Sequence, residues 1–464
     1  MKHLFLYILL LCSLSLYAQD SGEGEQNSTD KPAKTLEQSR REIIRYGTET
    51  EIANLIQALK NENADYLDDD LAVLARNTRN SAILSGLFSF FGDREKKGLE
   101  ERALRAVKEM DDEANATVLA ALNYLGRVKA PAAADPLMDL LDTGETRFMN
   151  AAFRALGRTG SGGDDTELIA DYLIDYYTNR DPGEENLREI IVALGELEDP
   201  SSLAFLSEIA KNNDERPTRR MAAVTSLSKI ADPAGLEAVL SALSSSDPNL
   251  RAAAVAALGP FKGEAVDTAI LEAFRDSYYR TRIGAAQAAG SREMEAAIPY
   301  LRFRAERDEV AAVKDESIKA LGAIGNRETR TILEEFFMER KNSDRVRILS
   351  AEMLIKVRPG DYAEKVSAEL DEAKSKNQTA LYNGLLRVIA SAETSKIEEL
   401  AGRFLDSGGV VERSYAMDMA VKNNFRGLGA KIRELTDEKY GSLARKARDT
   451  LDKLGLEINT SKPE

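Results

Sequence analysis

The stretch Pro233–Phe261, PAGLEAVLSALSSSDPNLRAAAVAALGPF, decides the fold. Its first half carries Leu236, Val239, Leu240 and Leu243. Steps of three and four place them on one stripe of a helix. Asp247-Pro248 then reads as a turn, with Asp a natural N-cap and Pro preset for the first helical position. The second half predicts a helix over Asn249–Leu258, stopped by Gly259-Pro260. The unit is therefore a pair of antiparallel helices.

The same unit recurs along the chain. Its second helix closes on an apolar residue followed by a small or polar one: Leu125-Gly126, Leu156-Gly157, Leu194-Gly195, Leu227-Ser228, Leu258-Gly259, Ala289-Gly290 and Leu321-Gly322. Weaker copies follow at Leu354-Ile355, Leu386-Arg387, Val421-Lys422 and Leu451-Asp452. Successive separations are 31, 38, 33, 31, 31, 32, 33, 32, 35 and 30 residues. A fixed period of this size marks a solenoid. The 38-residue step falls on Gly157–Asp165, GRTGSGGDD, read as a flexible loop insertion. One pair cannot cover its own apolar stripes, so each must lean on its neighbours. Ala-rich second helices such as Ala252–Ala257 permit close approach. The expected fold is all-α: a right-handed superhelix of about eleven antiparallel helix pairs, on the order of 100 Å long.

The flanks read differently. Residues 1–18 combine Lys2, an apolar run from Leu4 to Leu11 and a small Ala18, the pattern of a secretory signal cut before Gln19. The run is too short to span a bilayer, and no later stretch suggests an integral membrane segment. Leu11-Cys12 offers an alternative lipoprotein site, although bulky Leu11 stands where a small residue is expected. The expected location is periplasmic or secreted. Residues 19–34, without periodicity, read as a disordered acidic linker. Residues 35–98 carry degenerate helical repeats, 99–456 the regular solenoid, and 457–464 a polar tail.

Composition narrows the chemistry. The chain of 464 residues carries a net charge of −15. Lys2 is the one charge among residues 1–18, so the rest carries −16. Such a chain is poorly suited to displacing phosphate counterions, so no nucleic-acid partner is expected. The only His is His3 and the only Cys is Cys12. Once residues 1–18 are removed, a His base, a Cys nucleophile, a disulfide and a Cys/His zinc site are all excluded. Carboxylate, Tyr, Lys or Ser chemistry survives, but no spacing singles out a catalytic pair. Neither catalytic residue, cofactor nor metal is expected. Asp68-Asp69-Asp70 and Asp181–Glu185 lack the spaced ligands of a calcium loop, and Gly160–Asp165 lacks the Lys of a phosphate loop.

The closing motif, the turn Asp and a basic residue early in the second helix give the family resemblance. They read Asp247, Arg251 and Ala257-Leu258-Gly259-Pro260-Phe261, and again Asp142, Arg147 and Ala155-Leu156-Gly157. These units resemble HEAT repeats, especially the short kind of phycobilisome-lyase-like bacterial proteins. The resemblance is clear over Leu99–Leu456 and faint over Thr35–Asp93. The resemblance is specific for fold and nearly silent on function. The solenoid, the signal and the absence of catalytic side chains lead to the expectation of a non-enzymatic scaffold holding a protein or peptide on a concave face lined by second helices. The lyase resemblance invites the alternative of an envelope enzyme or lyase-like chaperone using carboxylate or Tyr residues.

The candidate partner-binding residues are Arg147, Arg188, Arg220, Arg251, Arg282, Arg347, Tyr177 and Tyr279. Stacked, the arginines would form a ladder along one surface. The same residues could instead pair internally with turn aspartates such as Asp142, Asp214, Asp247, Asp276 or Asp344, since Arg–carboxylate geometry is bidentate. In Tyr176-Tyr177 and Tyr278-Tyr279, adjacent helical residues point apart, so one of each pair can be core and the other exposed.

Overall fold

The computed structural model describes residues 35–180 and 182–458. The expected signal segment and linker, and most of the C-terminal tail, lie outside them, as does Asp181. The described residues contain helices and short 3-10 turns but no β-strand. Two compact units divide between Thr78 and Arg79.

Among the described residues the first unit has three helices, Leu36–Tyr46, Glu49–Glu62 and Asp68–Asn77. Thr35 with Gln38 and Thr48 with Glu51 form capping boxes, satisfying orphan N–H groups at two helix starts. Ile44, Ile52, Leu55, Leu59, Leu67 and Leu71 make the core. Arg40 is buried across it and donates to both Glu62 carboxylate oxygens at 2.7 and 2.6 Å.

The second unit opens with a single helix, Ser81–Asp93. Eleven pairs follow among the described residues, from Glu100–Lys108 with Asn115–Arg127 to Gly429–Glu434 with Ser442–Lys453. Each second helix packs on its own first helix and on the second helices before and after it. This file of second helices is the spine of an α-solenoid.

The deciding stretch folds as its residues dictate. Asp247 caps the helix Pro248–Ala257, accepting from the N–H groups of Asn249 and Leu250 at 2.8 and 3.0 Å. The first helix, Leu236–Ala242, differs in detail. Its fully buried positions are Ala238, Val239 and Ala242, while Leu236, Leu240 and Leu243 are half-buried. The small side chains face the close helix contact, and the leucines cover its flanks.

The closing residues Leu125, Leu156, Leu194, Leu227, Leu258, Ala289, Leu321, Leu354, Leu386 and Leu451 are completely buried. The small residue after them has its own reason. A Cβ on Gly157 would stand 2.5 Å from the Ala193 carbonyl oxygen and 2.7 Å from Ala193 Cα. One on Gly195 would stand 2.4 Å from Ser226 Oγ. At these two positions only glycine lets successive second helices approach this closely, whereas Gly259 meets nothing closer than 3.6 Å.

The expected loop insertion is partly absorbed by helix, with residues 161–165 left as a turn. The helix Met149–Gly160 takes up Gly157–Gly160, and the next first helix, Thr166–Asn179, runs 14 residues. The intervening turn is pinned by Thr166 Oγ1, which donates to the carbonyls of Gly160 and Gly163 at 2.9 and 2.6 Å.

Candidate functional site

The start of several second helices places an Arg beside the turn it has just left. Arg251 donates Nη1 to the carbonyls of Ser245 and Ser246 in its own turn. It reaches Asp276 of the next repeat through Nε and Nη2 at 2.7 and 2.9 Å. Arg282 repeats the arrangement on Asp276 and Ser277 carbonyls and on Asp308, at 2.8 Å to each carboxylate oxygen. Arg347 donates to the Phe337 carbonyl and pairs with Glu369. Arg220 donates Nε to the Ala210 carbonyl at 3.0 Å. Arg220, Arg282 and Arg347 are buried, and Arg251 is half-buried. Arg251, Arg282 and Arg347 thus act as inter-repeat clamps, whereas Arg220 ties its helix to the first helix of its own repeat.

The clamp sets the state of its acids. Burial alone would raise the Asp276 carboxyl, but the Arg251 guanidinium and the Tyr278 N–H outweigh it and hold it below the usual aspartate range. Burial likewise opposes Asp308, where Arg282 and the Val310 N–H win. Asp247 serves its own helix cap instead, and Asp142 pairs with Arg180 at 2.8 Å.

The remaining candidates are reachable. Arg147 is exposed and pairs with Glu145 and Asp111 at 2.9 and 3.4 Å. Arg188 is exposed and bonds Glu189 at 2.7 Å. Tyr176 is core and donates to the Leu141 carbonyl, whereas Tyr177 is half-buried, bonded to Glu215 and Arg219. Tyr278 and Tyr279 are both half-buried and stack edge to face at 5.2 Å.

A groove lies elsewhere on the second helices. It crosses Tyr279–Ser291, Ala311–Ile324 and Asp344–Val357 and encloses about 690 Å³. Its floor is small and apolar: Ala286, Gly290, Ala320 and Gly322. Its rim carries Gln287, Lys319, Glu352 and Lys356, all exposed. A second depression of about 330 Å³ shares Glu352 and Lys356 and runs on to Ser391, Glu393 and Lys422. None of the eight residues singled out from sequence lines either depression. The groove is assembled from three repeats, each contributing residues unremarkable alone. The signal available was the small-residue face of second helices. Among the described residues, no group of three or more His, Cys, Asp or Glu is placed to hold a metal ion, and no helix is long and apolar enough to cross a membrane.

Paired helices with buried closing leucines, stacked through their second members, define a HEAT-repeat solenoid. The family model for the spirochaete HEAT repeat protein matches residues 44–450, and the chain belongs to that family. None of the curated proteins matches it. Among solved structures it is similar to Kap121p, at 12% identity and a TM-score of 0.45, over 89% of this chain and 53% of that one. Importin beta aligns at 12% identity and a TM-score of 0.44, over 90% and 64%. Human deoxyhypusine hydroxylase aligns at 19% identity and a TM-score of 0.26, over 59% and 99%. The chain thus spans about half the length of the Kap121p structure it matches.

Proposed function

We propose that this protein is a non-catalytic scaffold outside the cytoplasm that holds an extended segment of a protein partner along the second-helix groove. The observation that carries the reading is the groove itself. Its floor is apolar where Gly290 and Gly322 let successive second helices close on one another, and its rim offers both signs of charge. Neither Glu352 nor Lys356 forms an ion pair among the described residues, so both are available to a partner. A narrow apolar floor with a polar rim suits peptide recognition. The location rests on the signal-like residues 1–18 and is checked by fractionating cells and probing for the protein in the envelope.

The clamps change how the binding reading is tested. Removing Arg251, Arg282 and Arg347 together would loosen the stack and lose binding for that reason alone. A photo-crosslinking residue at Glu352, introduced into the whole chain in its own cells, isolates the groove. The expected result is a discrete protein adduct at Glu352 and none at Lys211, exposed on a first helix. The same adduct from both positions, or turnover of a substrate by the purified chain, would defeat the scaffold reading.

A further inference from the structure

One joint in the second-helix spine is built differently from the rest. Ten of the eleven closing residues are completely buried, but Val421 is half-buried. It belongs to the helix Val410–Asn423, which stacks on Thr379–Ala390. The preceding joint is a tight steric fit, because a Cβ on Gly384 would collide with the Ile348 side chain. Val410–Asn423 contains no glycine, and among the described residues these two helices touch less than any other neighbours in the spine. Met417 and Met419 are buried in it, and methionine side chains rearrange easily.

The bonds across this joint are polar and sit at its two ends. At one end Tyr382 Oη donates to Glu412 Oε1 at 2.9 Å, and Lys374 Nζ reaches the same oxygen at 3.2 Å. At the other, Asn423 Oδ1 accepts from the Thr394 N–H at 2.7 Å, and Asn423 Nδ2 donates to the Ala392 carbonyl at 3.0 Å. Lys422 stands 3.4 Å from Glu393. On the first-helix side, Arg403–Asp371 and Lys396–Glu364 are well exposed pairs at 3.0 and 3.1 Å. Tyr382, Glu412 and Asn423 are half-buried, so water can take over their bonds at small net cost. Opening a joint such as Gly157 on Ala193 would instead expose apolar surface.

The smaller depression crosses this joint. Glu352, Lys356 and Pro359 line it on one side, Ser391 and Glu393 follow Thr379–Ala390, and Lys422 alone comes from beyond the joint. We infer that the joint is a hinge on which residues 398–454 swing against the groove-bearing repeats, with the Tyr382–Glu412 and Asn423 bonds as its latches. Latched, Lys422 completes the depression at the end of the groove. Unlatched, it leaves with its repeat, and the groove is shortened. The hinge stands on the joint itself, whereas its role as a gate rests on the groove reading.

The test is the distance between pairs of spin labels, carried on non-natural residues in the whole chain. Lys341 with Arg445 brackets the joint, and Ser246 with Lys341 spans as many repeats without it; all three positions are exposed. The distribution across the joint is the broader of the two. Tyr382→Phe with Asn423→Ala broadens it further, each lost bond shifting the open–closed ratio about fivefold, and leaves the other pair unchanged. Equal widths in the parent chain, no broadening in the double variant, or equal broadening of both pairs overturns the hinge. The gate is read with the photo-crosslinking residue at Glu352, where the double variant loses most of the parent's adduct. An undiminished adduct overturns the gate and leaves the groove standing. No adduct in the parent overturns groove and gate together, while the distances still decide the hinge.

Discussion

Two stretches of the second-helix spine are joined differently. From residue 115 to 230 the strongest inter-repeat constraint is shape: Gly126, Gly157 and Gly195 let one backbone or side chain lie directly on the next helix. From 248 to 369 close approach persists at Gly290 and Gly322, but buried charge is added at the opposite helix ends. Arg251–Asp276, Arg282–Asp308 and Arg347–Glu369 each tie a repeat to its successor. The lesson is that one repeat motif can be held mainly by steric fit, with part-exposed pairs such as Arg154–Glu189 beside it, or by fit plus a buried clamp. In the clamped stretch Asp276 and Asp308 are held below the usual aspartate range, which ties that stretch to proton concentration.

The comparison can be broken from the charge side first. Asp308→Ala leaves Arg282 buried without its carboxylate, and we expect a loss of about 3–5 kcal/mol in denaturant melts. An isosteric apolar pair at 282 and 308 should recover most of it, because burying two charges is itself costly. Next in size is the steric joint. Gly157→Ala forces the helix carrying Ala193 outward, and we expect about 1–3 kcal/mol of destabilisation. Gly259→Ala meets nothing closer than 3.6 Å and should stay within about 0.5 kcal/mol of the parent.

Acid sharpens the contrast further. Asp276 and Asp308 titrate below their unfolded values. Their contribution is therefore complete above the ordinary aspartate pKa and is lost as pH falls through the lower folded value. Hydrogen exchange at falling pH should open 248–324 before 115–230. Simultaneous opening would remove the distinction. The smallest effect is expected at Arg147, whose exposed pairs should leave the melting temperature unchanged on substitution by Ala.

Much of this architecture was legible in the chain. The period near 32 residues follows from the closing Leu-Gly, and the burial of Leu125 through Leu451 shows why that position repeats. The clamps were half legible. Pairing of Arg with turn aspartates was an open alternative, yet Asp247 could not be told from Asp276. One caps its own helix, and the other receives Arg251 from the preceding repeat. Which turn lies beside which Arg depends on the offset between repeats, a tertiary quantity that spacing does not contain. The groove was not legible for a related reason. Glu352 sits in an ordinary amphipathic helix, and only stacking brings Gly290, Gly322 and Glu352 to one place.

The central claim is that a partner is held on the second-helix side of repeats 279–357. Hydrogen exchange of the whole chain, with and without the partner captured at Glu352, measures this directly. The account predicts slowed exchange in Tyr279–Ser291, Ala311–Ile324 and Asp344–Val357, with the residues before 230 unchanged. Protection confined to first helices, or spread evenly along the chain, would contradict it.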